Sequence, residues 1–381
     1  MDETILQKVA NATNIQEGKE GVRIILLTIF REGRISTKNL SQKTNLPIPV
    51  IAAVRKELEK EQLLNRKGGA ILTDKGLKFL RESLNIQNSR PSPHCAMCER
   101  TGIEISPKYQ LLLKKIRNLE EREPSLKPEL DQSRCTTITK LRRALLLDAY
   151  NDIEGRNLVL LGDGDLISIT VALIGHPRQL VVFDIDDEIL AFIDAISKEE
   201  SLKISTIHHD LRQPIAPEFC GQFDVFITDP PYTRNGFELF ISRGIDLLRQ
   251  ESGKHGYISF SHKPPNEMLV CQRILGEMNL FLKEIILNFN HYRGAEIIGQ
   301  VGQMIVIETT TNSQSTIPDE FTNSIYSGEE RITKRLYRCL GCNTEYLVGQ
   351  GEEYSIIEEL KTKGCPKCQK NSFQRIKRVT Y

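Results

Sequence analysis

Hydrophobic positions in the first eighty residues recur at helical spacing between turn signals. "GVRIILLTIFREG" (21–33) reads as an amphipathic helix, and "STKNLSQKTNL" (36–46) opens on a Ser/Thr cap. "PIPVIAAVRKELEKEQLL" (47–64) begins with prolines where a helix tolerates them. "NRKGGAILTDKGLKFLRE" (65–82) then supplies a glycine turn, a short β run and a capped helix. The order predicts a winged helix-turn-helix over residues 1–88. A polar, proline-containing stretch, "NIQNSRPSP" (85–93), is a linker by composition. Residues 89–150 form a connector that carries a CxxC pair and two helices, around "KYQLLLKKIRNLEERE" and "TITKLRRALLLDAY".

From Asn157 the period switches between two and 3.6. Strand runs "NLVLL", "QLVVFDI", "KISTIHH", "FDVFITD" and "HGYISF" alternate with helical runs "LISITVALIG", "DEILAFIDAISKE" and "GFELFISRGIDLLRQ". Such alternation predicts a parallel sheet with helices on both faces, a Rossmann-like α/β domain over 151–312. "LFLKEIILNFNHY" and "VGQMIVIETT" are its closing strands. After polar "TTNSQSTIPDEFTNS" comes a small tail, residues 325–381.

Composition changes this picture in two ways. The 51 basic and 50 acidic residues nearly cancel, so whole-chain charge points to neither a nucleic-acid nor a membrane partner. No apolar run is long enough to span a bilayer and the N-terminus is polar, so a cytoplasmic protein is expected. The nine cysteines include pairs at Cys95/Cys98, Cys339/Cys342 and Cys365/Cys368, with Cys135, Cys220 and Cys271 scattered. Without a secretory signal, such spacing reads as metal ligation. Cys339, Cys342, Cys365 and Cys368 predict a structural zinc ribbon, followed by basic "KNSFQRIKRVTY", which could touch nucleic acid or cap the ribbon. Cys95 and Cys98 lack an obvious second half unless His94, Cys135 or a dimer mate completes a site.

The candidate chemistry lies at the predicted strand ends. Gly162, Asp163 and Asp165 follow the first strand, where doubly wound folds bind ligands; Asp184 ends the second and is placed for a ribose diol; Asp210 ends the third, on the adenine side. Helix capping is the plain alternative for any one of these aspartates. The fourth strand ends in "TDPPYT", which presents Asp229 and Tyr232 and suits an amine: the carboxylate can hydrogen-bond or deprotonate nitrogen. With Asp186, these acids predict a cleft that attracts a polycation and repels a donor carboxylate.

The motifs "CAMCERTGIEI", "LLGDGDLISITVAL", "FDIDDEIL", "HDLRQPIAPEF", "FDVFITDPPYT", "SRGIDLL" and "EIILNFNHY", in this order, resemble the branched-chain polyamine synthases. The resemblance implies an aminopropyltransferase that uses decarboxylated S-adenosylmethionine and a polyamine such as spermidine, releases methylthioadenosine, and assembles as a homodimer. By the same resemblance Asp163 and Asp165 match the outer acids of a Gly-Asp-Asp-Asp signature, Asp184 the ribose acid, Asp210 an adenine-side acid and Asp229 the acid of the Asp-Pro-Pro loop. Asp163 and Asp229 are the catalytic candidates, and Tyr232, His291 and Tyr292 line the acceptor side. Two departures stand out: Gly164 replaces the central aspartate, and Tyr232 stands where archaeal members can carry an acid.

A second reading is an amino-methyltransferase on nucleic acid, since "DPPY" also marks enzymes that hold the amino group of a flipped base. Winged helix and ribbon would then target nucleic acid. A third is a regulator that senses a nucleoside without turnover.

Overall fold

A computed structural model describes residues 3–65, 68–87, 98, 101–293, 299–330, 333–349, 352–354 and 357–380. It divides into two compact units, one of residues 1–128 and 132–322, the other of residues 129–131 and 323–381.

The first unit opens with helices α1 (Glu3–Thr13), α2 (Gly18–Glu32), α3 (Thr37–Thr44) and α4 (Ile48–Lys60). Strands β1 (Leu64–Asn65) and β2 (Ile71–Leu72) pair antiparallel before α5 (Asp74–Glu82), and an Ile35–Ala70 bridge adds a third short pairing. The expected caps are present: Ser36 accepts from Asn39 N–H, and Thr73 from Gly76 N–H. Val22, Ile25, Leu40, Ile51, Val54 and Leu58 share one core. Helix α1 is an addition to the elements expected from the sequence. Its Leu6, Val9 and Ala10 recur at i, i+3, i+4 and are buried against that core, but the polar residues around them mask the stripe.

Helix α6 (Gln110–Glu120), strand β3 (Arg134–Cys135) and helix α7 (Thr137–Ala149) lead into the main sheet. There β4 (Asn157–Leu161), α8 (Ile167–Ile174), β5 (Gln179–Asp184), α9 (Asp187–Glu199), β6 (Ser205–His208), β7 (Val225–Thr228), α10 (Arg234–Leu247), β8 (His255–Ser261) and α11 (Pro265–Glu277) alternate. Strands β9 (Leu280–Arg293) and β10 (Val301–Thr309) follow. The sheet order is β3-β9-β10-β8-β7-β4-β5-β6. Strands β4 to β8 are mutually parallel; β10 runs antiparallel to both β8 and β9. This is the Rossmann-like arrangement of methyltransferase-type domains, with the strand order reversing at β4, so loops after β4 and β7 face one crevice. The strands at its centre are buried on both faces, which is why "NLVLL" and "VVFD" read as continuous apolar runs.

The long β9 carries a register shift against β10: Asn290 pairs Gly302 while Ile286 pairs Met304, with Asn288 at φ 58° between them. This bulge re-aims the end of β9, bringing Asn290 and Tyr292 toward the crevice.

In the second unit, α12 (Ser327–Glu330), β11 (Thr333–Cys339), β12 (Glu345–Val348), α13 (Ile357–Lys363) and β13 (Phe373–Thr380) form a small fold around a three-stranded sheet, order β12-β11-β13. Val348, Tyr354 and Leu360 make its core. The Sγ atoms of Cys339, Cys342, Cys365 and Cys368 lie within 4.8 Å of one another. In the other cysteine pair, Cys95, like His94, lies outside the described residues. No helix among the described residues is long and apolar enough to cross a membrane.

Candidate active site

The loop after β4 is built by hydrogen bonds among its own aspartates. Gly162 turns at φ +70°, a region that favours glycine, and its N–H donates to Phe183 C=O at 2.8 Å. Asp163 then turns its carboxylate onto the start of α8: Oδ1 accepts from Ile167 N–H at 2.6 Å and Oδ2 from Ser168 N–H at 3.1 Å. These are donors that a helix start leaves without internal partners. The Asp163 N–H in turn donates to Asp184 Oδ2 at 2.8 Å, while Asp184 Oδ1 accepts from Asp186 N–H at 2.9 Å. Both acids are buried, and burial pushes Asp163 up to about 7 and raises Asp184.

Asp186 caps α9 through Glu188 N–H and also accepts from Lys127 Nζ at 2.6 Å and Gln132 Nε2 at 2.9 Å. Burial pushes its pKa up, but those hydrogen bonds outweigh it and hold the carboxyl below the ordinary range. Asp210, half-buried after β6, accepts from Arg212 N–H at 3.0 Å.

The second half of the site centres on a residue that sequence reasoning did not single out. Arg143, buried on α7, donates through Nη1 to Asp165 Oδ2 at 2.8 Å and through Nε to Asn290 Oδ1 at 2.8 Å. Its Nη2 lies 2.9 Å from Asp229 Oδ2, 2.7 Å from Ser259 Oγ and 3.1 Å from Tyr292 Oη. Tyr292 also donates to Asp229 Oδ2 at 2.9 Å, and Tyr232 donates to Tyr292 Oη at 2.8 Å. Asp165 completes its set by accepting from Cys135 N–H at 2.5 Å.

The structure thus joins Asp165, Asp229 and Tyr292 through one guanidinium, adds Tyr232 through Tyr292, and joins Asp163 to Asp184 by a backbone bond. His291 is placed differently. Its N–H donates to Thr139 Oγ1 and its C=O accepts from Thr136 N–H, while strand alternation puts its ring on the opposite face of β9 from Tyr292.

Asp229 sits where burial, and the neighbouring Asp165, push its pKa up to about 6 against the pull of Arg143 and Tyr292. Its side chain keeps 21% exposure, and Oδ1 has no hydrogen-bond partner among the described residues. One oxygen is therefore anchored and the other presented. The same burial holds the phenols of Tyr232 and Tyr292 well above their ordinary value, so both stay protonated as donors.

The cleft is less anionic than its aspartates alone imply. Arg143 faces Asp165 and Asp229, Lys127 faces Asp186, and Arg212 stands 3.9 Å from Asp210. The expectation of a strongly acidic cleft counted strand-end carboxylates without these partners. A faint signal was present in "TKLRRALLL": three cations on a helix whose neighbours are all core formers. The structure buries Lys140, Arg142 and Arg143 together.

The family model for the branched-chain polyamine synthase A C-terminal domain matches residues 111–334. A Methanocaldococcus jannaschii protein described as uncharacterized is 39% identical over 377 residues, 98% of this chain and 93% of its own length. The N(4)-bis(aminopropyl)spermidine synthase of the same organism is 32% identical, covering 76% of this chain and 82% of that protein; the synthase of Thermococcus kodakarensis is 30% identical with the same coverage. The fold matches the crystal structure of the branched-chain polyamine synthase from Thermus thermophilus in complex with N4-aminopropylspermidine and 5'-methylthioadenosine, at a TM-score of 0.71, 22% identity, 86% of this chain and 98% of that one. By the matched domain and the two synthases, this chain belongs to the branched-chain polyamine synthase family.

Proposed function

We propose that the protein is an aminopropyltransferase that moves an aminopropyl group from decarboxylated S-adenosylmethionine to a polyamine such as spermidine and releases methylthioadenosine. Besides family membership, the observation that carries this reading is the half-anchored Asp229. A protonated amine has no lone pair, so the enzyme must accept a proton from the attacking nitrogen or bind it already neutral. A carboxylate with a pKa of about 6, one oxygen presented and the other held by Tyr292 and Arg143, is suited to that task near neutral pH.

In this reading nitrogen attacks the carbon beside the sulfonium; the new C–N bond forms as the C–S bond breaks, and the pair leaves on sulfur. Tyr292 holds Asp229 Oδ2 and Tyr232 holds Tyr292, which leaves Oδ1 as the presented oxygen. Gly162, Asp163, Asp165, Asp184 and Asp210 belong to the donor side. Asp184 retains lone pairs for a ribose diol beyond its two N–H bonds, and Asp163 shapes the donor loop and the start of α8 rather than acting as base. Product analysis tests the reading: purified protein with decarboxylated S-adenosylmethionine and spermidine should form methylthioadenosine and an aminopropylated amine in equal amounts. Absence of both with spermidine, spermine and shorter amines would overturn it.

The four thiolates fit zinc. Tetrahedral Zn–S bonds of about 2.3 Å place sulfurs roughly 3.8 Å apart, and the Cys339–Cys368 and Cys342–Cys365 Sγ separations are both 3.5 Å. We read this cluster as a structural zinc ribbon, the N-terminal helices with their short β pairing as a winged helix, and the assembly as a homodimer. The four-part division at 1–88, 89–150, 151–312 and 325–381 belongs to the same reading.

A further inference from the structure

Gly164 sits between the two outer aspartates of the donor loop, and nothing in its backbone requires glycine. Its φ lies outside the left-handed region, and a Cβ there would meet only Gln132 Cγ at 3.8 Å and Arg134 Nη1 at 3.9 Å, ordinary contact distances. A side chain at 164 would therefore start in contact range of a buried guanidinium.

Arg134 is 4% exposed, yet its Nη1 has no hydrogen-bond partner among the described residues. The rest of the group is fixed: Nη2 donates to Pro124 C=O at 3.0 Å, and Nε stands 3.3 Å from Glu123. Glu123 is shared. Lys140 pairs with Glu123 and Glu120, and Arg293 reaches Glu120 at 3.5 Å and Glu123 at 3.0 Å. Three cations thus divide two carboxylates, which leaves this cluster net positive. Leaving a buried charged donor without an acceptor is costly, so the geometry calls for an anionic oxygen at this point.

We propose that Arg134 Nη1 and the space beside Gly164 form a carboxylate subsite, through which the donor site also accepts S-adenosylmethionine with its carboxylate intact. The proposal rests on the donor-side reading of this loop. The loop lies at the carboxyl end of β4, on the crevice where such sheets bind ligands. S-adenosylmethionine and its decarboxylated form differ only in that carboxylate. An aspartate at 164 would extend a carboxylate toward Arg134 and compete with it; glycine leaves the position to the ligand. Attack by an acceptor amine on the carbon beside the sulfonium would then form the C–N bond, break the C–S bond and release the same methylthioadenosine, with the carboxylate carried on the transferred group and the amine proton passing to Asp229.

The test is calorimetric titration of the full-length protein with S-adenosylmethionine, decarboxylated S-adenosylmethionine and methylthioadenosine, using wild type, Gly164→Asp and Arg134→Gln. Wild type is expected to bind S-adenosylmethionine at least as tightly as the decarboxylated form. Each variant should weaken S-adenosylmethionine by about tenfold or more, the scale of one charge-assisted hydrogen bond, while leaving methylthioadenosine within about twofold. Gly164→Asp keeps every contact of Arg134, so it separates the subsite from any loss of folding in Arg134→Gln. Binding of methylthioadenosine and the decarboxylated donor with exclusion of S-adenosylmethionine overturns the subsite alone. Failure of all three ligands to bind overturns the donor-side reading and the subsite with it.

Discussion

Arg143 Nη2 lies 2.9 Å from Asp229 Oδ2, so the acid that ends β7 is held by a guanidinium from α7, a helix that precedes the sheet in sequence. The same guanidinium meets Asp165 through Nη1 at 2.8 Å, which ties the loop after β4 to the loop after β7 across the switch point. Two carboxylates that would repel each other are thereby fixed together, and of the two only Asp229 keeps an oxygen without a partner among the described residues.

Replacement of Asp229 by Asn should lower kcat by about 10²–10⁴-fold, the usual contribution of a positioned general base, with much smaller change in donor affinity. In the wild type, kcat/KM should rise with pH through about 6 as the Asp229 carboxylate forms. The Asn variant should lose that limb. A wild-type profile flat from pH 5 to 8 would remove Asp229 from the proton transfer.

Arg143→Met should destabilise the protein by about 3–5 kcal/mol, because it leaves Asp165 buried beside Asp229 without a cation. Denaturant midpoints at fixed pH measure this. The loss should shrink when Asp165→Asn is added, since the uncompensated charge is then gone; an undiminished loss would place the effect in packing.

How far the sequence revealed this site depends on which interactions are local. Strand ends are local: "NLVLL" followed by Gly162, and "FITD" followed by two prolines, put Asp163, Asp165 and Asp229 at one crevice from the strand pattern alone. The cysteine tail is local too, and its four thiols do converge. What each carboxylate does there is not local. Asp163 looks like a reactive acid along the chain, but in the fold the start of α8 occupies both its oxygens. Arg143 and Arg134 have no visible partner along the chain beyond the hint in "TKLRRALLL", and only the packing of α7 and the pairing of β3 with β9 show them to be buried beside the aspartates. Charge counting failed for this reason, because compensation is a property of tertiary contacts.

Metal analysis of purified protein should return one zinc per chain, with Cys339, Cys342, Cys365 and Cys368 as ligands. Cys365→Ser should lose the metal and expose the second unit to protease, while methylthioadenosine binding, which the proposed function assigns to groups of the first unit, stays within about twofold. Full zinc retention in that variant would place the metal elsewhere.

Asp163 gives the stability of the fold a pH dependence of defined sign. Its folded pKa is about 7 against an ordinary aspartate value of 3.8, because burial disfavours the charged form. The native state therefore binds more protons than the unfolded chain between these values, and stability falls as pH rises through that window. The contribution is complete below about pH 4 and lost above about 7; a difference of about three pH units sets its ceiling on the order of 4 kcal/mol. Asp184 and Asp229, also raised, add to the same trend. Asp163→Asn keeps an oxygen for the α8 N–H groups but cannot ionise. Urea unfolding from pH 4 to 8 should therefore show a shallower decline for the variant than for wild type, with the two curves closest at low pH, where Asp163 is itself neutral. Parallel curves across the window would mean that Asp163 does not titrate there and stays ionised against the helix start.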